Sequence, residues 1–431
     1  MDIVTLGMAK ADAAKRYASN ARLADIARNA LPVPFCSRQS VPMAASGGLS
    51  NGTDTSATYR RRHTALMTAS NLILEFPNYY NNNGDETDTP NSITIRASIE
   101  YKTGQFQPIF FQGKRSVVVE PGASIACDPL GIQIKSGDQF HTLTYVEVTA
   151  GQKWPLSNTA VATDTEGVTI GSDLTMTGGV TATNVRTYGP SAIVGTVAEA
   201  VPSVSIGPAD SIGAGYDDAG DVGFIARALI ADGIGYLNLG MGSDAPGKWT
   251  LNEKRRRRAP LLRYCNYAVI EIGTNGIQSP TTMDTVAANQ IAVWKFVAEQ
   301  GIKGYQTTLL PRSTSTDGFA TTANQTTDPA RQANRVAFNG WIRDGAPINT
   351  DTGLWAAAGS SGASIVRSGD VGHPLAGWFE CADAVETARD SGIWKATGST
   401  TGRYTDDGTH PSSDATTVLI PTIDTSVFVP R

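Results

Sequence analysis

Three short stretches of this 431-residue chain carry side chains that can do chemistry together. Val204-Ser205-Ile206-Gly207-Pro208-Ala209-Asp210-Ser211-Ile212-Gly213-Ala214-Gly215 reads as an apolar strand entering a glycine-rich turn, with Ser211 where the backbone reverses. A serine hydroxyl is a weak nucleophile at its own pKa, so it needs a base and donors to a developing oxyanion. Tyr404-Thr405-Asp406-Asp407-Gly408-Thr409-His410-Pro411 sets Asp407 three residues before His410, close enough for a carboxylate to orient the imidazole. Ile270-Glu271-Ile272-Gly273-Thr274-Asn275-Gly276 ends an apolar strand in Asn275, whose side-chain amide can donate to an oxyanion.

In that order, Asp-Ser at a strand end, Gly-Thr-Asn after a later strand and Asp-x-x-His-Pro near the C-terminus resemble the SGNH hydrolases, the GDSL-type esterases and lipases. The resemblance implies Ser211 as nucleophile, His410 as base and Asp407 as its orienting acid. It implies an oxyanion hole from the N–H of Ser211, the amide of Asn275 and a backbone N–H in Asn238-Leu239-Gly240-Met241-Gly242-Ser243-Asp244. By the spacing from Asn238, Ser243 stands where the family has glycine, and Gly242 serves with a one-residue shift. The family's Gly-Asp-Ser is Ala209-Asp210-Ser211 here, and its Gly-x-Asn-Asp is Gly273-Thr274-Asn275-Gly276. Asp210 is assigned to supporting the turn or capping the helix after it. Asp370-Val371-Gly372-His373-Pro374 is a second Asp-x-x-His-Pro, but His410, between the last loop and the last helix, matches the family's position. Asp406 has the wrong spacing to His410.

The elements that must hold these residues follow from pattern. After residue 200, strands at 203–207, 235–239, 267–272 and 303–310 alternate with helices at 221–231, 252–265, 283–300 and 329–344. A further strand at 364–367 and a helix after Pro411 complete the series. This is an α/β pattern, a parallel sheet covered on both faces, whose site lies beyond the carboxyl ends of its strands. The resemblance implies the three-layer α/β/α, flavodoxin-like form of that fold. Thr308-Leu309-Leu310-Pro311-Arg312 and the helix around Arg335-Val336-Ala337-Phe338-Asn339 are expected to be structural.

Before residue 200 the period is two. Leu72–Phe76, Ser92–Arg96, Ser98–Tyr101, Ser116–Val119 and Gly131–Ile134 alternate between turn signals, which suggests an antiparallel sandwich. The stretches 119–130 and 145–148, with Ser191–Val197 as a returning strand, resemble the jelly-roll-like sandwich of a two-domain subgroup of GDSL-type esterases. The expected division is 1–60 as helical arm and extended connection, 61–200 as sandwich and 201–431 as catalytic domain. Ala160–Thr187 reads as sandwich edge or loop, and the sandwich aromatics, Phe76 and Phe140 among them, as core. Residues 1–30, alanine-rich with helical spacing, read as a helix packed on the body, with oligomerisation as the other reading.

Composition narrows the function. Apolar residues make up 40% and charged ones 17%, giving a globular protein with an uncharged polar surface. A net charge of −5 attracts neither nucleic acid nor anionic membrane in general. Lys254-Arg255-Arg256-Arg257-Arg258 lacks interleaved aromatics and reads as the solvated face of a helix. No apolar run is long enough to span a membrane, and no signal peptide is visible, so the chain is expected to be either the mature form of a secreted protein given a new start or one that leaves its cell by another route, such as phage lysis, with extracellular or virion-associated action. Cys36, Cys127, Cys265 and Cys381 form no metal pattern, and Cys127 and Cys265 read as buried thiols. No cofactor or metal is expected. The expected activity is ester hydrolysis, with an acetylated carbohydrate or small ester as substrate. The alternatives are an inactive carbohydrate-binding protein and a tail-associated esterase with an assembly role.

Overall fold

The computed structural model describes residues 32–43, 47–278 and 280–430, so the helix expected at the N-terminus lies outside the described residues. The period-two segments form two antiparallel sheets. One has the strand order β1 (Val33–Pro34), β13 (Ala192–Thr196), β3 (Ala69–Pro77), β10 (Leu130–Ile134), with β9 (Ser124–Ala126) also on β3. The other runs β12 (Gly167–Ile170), β2 (Ser56–Thr64), β11 (Gln139–Glu147), β6 (Ile93–Tyr101), β7 (Phe106–Pro108), with β8 (Val117–Val119) also on β6. Alternate residues of both sheets, Leu72, Leu74 and Phe76 from one and Ile93, Ile95 and Ile99 from the other, meet in a single buried cluster with Phe140.

Two segments differ from the sequence reading. Ser92–Arg96 and Ser98–Tyr101 belong to one strand, β6, because Ala97 and Ser98 continue the ladder opposite Thr144 and Leu143. Ser56–Thr64, half of it expected to be connection, is an interior strand paired on both edges. Each arginine of its run Arg60-Arg61-Arg62 meets a carboxylate, Arg60 on Glu100 at 2.8 Å, Arg61 on Glu166 at 3.4 Å and Arg62 on Asp164 at 2.6 Å.

The later strands form a parallel sheet in the order β15 (Gly235–Asn238), β14 (Ser203–Ala209), β16 (Tyr267–Glu271), β17 (Lys303–Thr307), β22 (Leu375–Phe379). Neighbouring residues of one strand feed opposite cores. Ala268 and Ile270 join the helices Met283–Glu299 and Pro329–Arg343 on one face, while Tyr267 and Val269 join Phe224–Ala231 and Ser413–Leu419 on the other. Two short antiparallel pairs, β18 (Thr314–Ser315) with β19 (Gln325–Thr326) and β20 (Ile348–Asn349) with β21 (Ile365–Val366), decorate this unit.

The expected strand at 364–367 is therefore half of a two-residue hairpin, and the fifth parallel strand is β22. Its Leu-Ala-Gly-Trp-Phe sequence holds no β-branched residue, so propensity does not mark it. Gly377 is needed there, since a Cβ would stand 2.9 Å from the Tyr305 ring. The helix expected at 252–265 is a short turn, Asn252–Arg255, followed by a 3₁₀ segment, Ala259–Tyr264, because Pro260 lacks the N–H and crowds a longer helix.

The basic run Lys254–Arg258 is a further correction, because only Arg256 is exposed and the rest is half-buried or buried. It faces a hairpin of the first region, β4 (Tyr79–Asn82) and β5 (Asp85–Asp88). Lys254 meets Asp85 at 2.7 Å, and Arg256 meets Asp88 at 3.0 Å. Arg258, fully buried, meets Glu86 and Asp244 at 2.7 Å each and lies 4.8 Å over the Trp249 ring. The acidic strand Asp85-Glu86-Thr87-Asp88 was the missing half of the pattern. Among the described residues, no helix is long and apolar enough to cross a membrane, and all four cysteines are buried.

Candidate active site

β14 delivers Ser211 to the carboxyl edge of the parallel sheet. The strand ends at Ala209, Asp210 caps the next turn by accepting from the Ile212 N–H at 3.0 Å, and Ser211 opens the helix Ser211–Ala214. The turn is pinned from below by Glu271, the last residue of β16, which accepts from the Gly213 N–H at 2.8 Å. Asn238 at the end of β15 donates to the Gly213 carbonyl at 3.1 Å. Gly213 has no room for a side chain, since a Cβ would stand 2.6 Å from that of Ala209. The turn that carries Ser211 is consequently fixed by side chains at the ends of β15 and β16.

His410 and Asp407 come to it from the last loop. His410 Nε2 lies 2.7 Å from Ser211 Oγ, and its Nδ1 lies 2.7 Å from Asp407 Oδ2. The other Asp407 oxygen accepts from the N–H groups of Thr409 and His410 at 2.8 and 2.9 Å, which fixes the carboxylate before it touches the ring. An ionised carboxylate accepts only, so Nδ1 carries the proton and Nε2 is left to accept from the serine hydroxyl. Burial disfavours the charged imidazole, but the hydrogen bond and charge of Asp407, with help from Asp217 and Asp210, raise its pKa above the ordinary histidine value. Burial also works against the Asp407 carboxylate, and the His410 contacts outweigh it and hold its pKa well below the usual carboxylate range.

Sequence reading missed three residues of this site. Asp217, with φ +66°, places a carboxylate 3.9 Å from His410 Nδ1. Tyr216 lays its ring 5.6 Å from the imidazole and donates to the Met43 carbonyl at 2.8 Å. Glu271 forms a buried carboxyl pair with Asp210. Both are at most 1% exposed, and burial together with the Asp210 charge pushes Glu271 well above its ordinary pKa. Asp210 Oδ2 is buried with no donor among the described residues, and a Glu271 that keeps its proton is placed to supply one. Only Glu271 had any signal beforehand, an acidic residue inside an apolar strand.

The two oxyanion candidates, Gly242 and Ser243, differ in what their backbones do. The Gly242 N–H donates to the Met43 carbonyl at 2.9 Å and is spent there. Ser243 adopts φ +63°, the conformation for which glycine is the usual residue, at the position where the resemblance implied a glycine. Asn81 of β4 fastens this turn by donating to the carbonyls of Met43 and Gly242 at 2.8 and 3.0 Å. Asn275 follows β16 on the same edge and donates to the Asp244 carbonyl at 2.9 Å, leaving a second N–H on its amide. Asp244, held by Arg258 and by the Trp249 indole at 2.8 Å, thus braces both Ser243 and Asn275.

The rival residues are placed elsewhere. His373 bonds the Ala346 carbonyl at 2.8 Å through Nε2 and accepts the Leu375 N–H at 3.0 Å through Nδ1, so both ring nitrogens serve the backbone. His63 is buried between Ser37 and Thr142, and His141 lies against Arg60 and Thr165. Asp406 pairs with Arg403. Asp217, Asp407 and His410 are the one group among the described residues close enough to hold a metal ion, with ligand atoms within 4.8 Å. His410 already uses both nitrogens in the triad.

No protein-family model matches this sequence, and no curated protein matches it. Solved structures do, and many are GDSL-like lipases and acylhydrolases. A GDSL-like lipase from Bacteroides thetaiotaomicron is 13% identical, with a TM-score of 0.31 over 52% of this chain and 86% of its own. A carbohydrate esterase family 3 protein from Talaromyces cellulolyticus is 12% identical, with a TM-score of 0.32 over 52% and 95%. A salicylyl-acyltransferase from a tetracycline biosynthetic pathway is 11% identical, with a TM-score of 0.30 over 85% and 80%. The assignment of chemistry rests on the geometry of Ser211, His410 and Asp407.

Proposed function

We propose that this protein is a serine esterase of SGNH type, acting through an acyl-Ser211 intermediate on acylated carbohydrate, with acetyl as the acyl group. A flavodoxin-like α/β/α hydrolase domain from about residue 201 carries the site, and an antiparallel β-sandwich ahead of it braces the oxyanion turn through the β4–β5 hairpin. The observation that carries the reading is the unbroken chain Ser211 Oγ, His410 Nε2, His410 Nδ1, Asp407 Oδ2, with 2.7 Å at both contacts.

In acylation the Ser211 oxygen bonds the ester carbonyl carbon while its proton passes to His410 Nε2. The negative charge on the carbonyl oxygen faces the N–H groups of Ser211 and Ser243 and the Asn275 amide. Collapse expels the alcohol, which takes the proton from His410. Water then repeats the sequence with His410 as base, releasing the carboxylic acid and the free serine. The uncharged polar composition, rich in Ser, Thr, Asn and Gly, favours a sugar over a lipid as the alcohol.

Initial rates on 4-nitrophenyl acetate, butyrate and octanoate, for wild type and Ser211→Ala, test this. The expected result is fastest cleavage of acetate and a fall of about 10⁴-fold or more in the variant. Equal rates in the two proteins would remove Ser211 from the chemistry and the esterase reading with it.

A further inference from the structure

Among the described residues, Arg312 has no hydrogen-bond or ion-pair partner. It follows β17 on the same carboxyl edge as Ser211 and Asn275, and its neighbours are firmly tied. The carbonyls of Leu309 and Leu310 accept from Arg335 at 3.0 Å, and the Ser313 N–H donates to the Gly408 carbonyl at 3.0 Å, directly beside Asp407. The backbone therefore holds Arg312 between the Asn275 loop and the His410 loop. Leu309 closes the other flank, since a Cβ on Gly273 would stand 2.8 Å from its side chain.

The guanidinium is partly buried, and its Nη1 is out of solvent with no hydrogen-bond partner among the described residues. Arg331, in the first turn of Pro329–Arg343, faces it electrostatically and likewise has a buried Nε without a partner. Asp328 caps that helix through the Arg331 backbone N–H at 2.8 Å, but neither guanidinium forms an ion pair among the described residues. Arg258, Arg335 and Arg343 by contrast end on carboxylates at 2.6–2.8 Å. The carboxylates in electrostatic reach of Arg312, Asp210 and Asp407, are engaged with Ile212 and Glu271 and with His410. Two like charges side by side, one at a helix N-terminus where positive charge is disfavoured, with desolvated donors unmet, cost stability unless an anion completes them.

We infer that Arg312 and Arg331 form an anion subsite beside the triad that receives a carboxylate of the substrate, so the scissile ester sits on a negatively charged molecule. Paired planar guanidiniums suit a carboxylate, which each can bind through two N–H groups. The inference rests on the esterase reading for the ester, but not for the anion. The carboxylate has two chemical sources, an acidic sugar on the alcohol side or a dicarboxylic acyl group.

Kinetics separate the sources. Acetylated polygalacturonate with free or methyl-esterified carboxyl groups probes the alcohol side, mono-4-nitrophenyl succinate probes the acyl side, and 4-nitrophenyl acetate is the neutral reference. Arg312→Ala should lower the ratio of kcat/KM on one charged substrate to that on the reference about 10- to 100-fold, mainly through KM, and Arg312→Lys should restore it only in part. Arg331→Ala should lower the same ratio by a smaller factor. Calorimetric binding of sodium glucuronate and sodium succinate to the Ser211→Ala protein, with and without Arg312→Ala, gives a readout free of turnover. Anion binding that needs Arg312 upholds the subsite even if no ester is cleaved, in which case only the esterase reading falls. A charged-to-neutral ratio unmoved by Arg312→Ala, or no anion binding to the intact Arg312 protein, would overturn the inference.

Discussion

His410 Nδ1 lies 2.7 Å from Asp407 Oδ2, while Asp217 stands 3.9 Å from the same nitrogen, so one imidazole serves two carboxylates of unequal reach. The consequence is a pH profile. A raised histidine pKa means the charged form is favoured in the folded protein, and its stabilisation is lost as pH rises through that pKa. The base is the neutral form, so kcat/KM should fall on acidification with a midpoint above about 6.5. Asp407→Asn should lower that midpoint and cut kcat by about 10³- to 10⁴-fold. Asp217→Asn should lower the midpoint by a smaller step. Rates on 4-nitrophenyl acetate from pH 5 to 9 check all three proteins, and an Asp407→Asn enzyme at full rate would rule out this triad.

Arg258 makes a separate prediction about stability. It joins Glu86 of the β4–β5 hairpin to Asp244 beneath the Ser243 turn, all three buried. Removing it leaves Asp244 buried without its counter-charge and Glu86 with Arg257 at 3.9 Å, and breaking such a buried pair typically costs about 3–5 kcal/mol. Arg258→Met should therefore lower the urea midpoint strongly. Arg256→Ala, at a half-exposed pair with Asp88, should change stability by less than about 1 kcal/mol. Similar effects of the two variants would mean that the basic run is the solvated face its composition suggests.

The same run shows where a sequence can and cannot be read. Ser211, Asp407, His410 and Asn275 are legible because each follows a period change or turn signal that local chemistry dictates. Their meeting at one edge follows from strand order, since β14 and β16 are neighbours. Lys254–Arg258 is illegible alone, because its partners Asp85, Glu86 and Asp88 lie about 170 residues earlier in a hairpin. Charge reads as solvent exposure until the opposite charge is placed against it. β22 was missed for another reason, because burial between Tyr305 and the helices sets its conformation rather than side-chain propensity. Asp217 and Tyr216 carried no periodic signal, lying in a loop whose path depends on the rest of the fold.

Glu271 gives the last prediction. Its carboxyl accepts from Gly213 at 2.8 Å directly beneath the nucleophile, and its raised pKa beside buried Asp210 predicts that the two carboxyls share a proton. A carboxyl whose folded pKa is raised contributes stability that is complete below its unfolded pKa, about 4.3, and is lost as pH rises through the folded value. Glu271→Gln keeps an acceptor for Gly213 and a donor for Asp210 but cannot ionise. It should thus retain most activity and remove this alkaline loss, so that its advantage over wild type in urea denaturation grows from pH 5 to pH 9. Glu271→Ala removes both contacts and leaves Asp210 Oδ2 buried without a donor, a loss of about 1–3 kcal/mol, and lets the Ser211 turn relax. Its kcat should fall more than its KM rises, because the turn sets the nucleophile's position. If Glu271→Gln and wild type show parallel stability against pH, the shared proton does not exist and Glu271 supports the turn by its backbone alone.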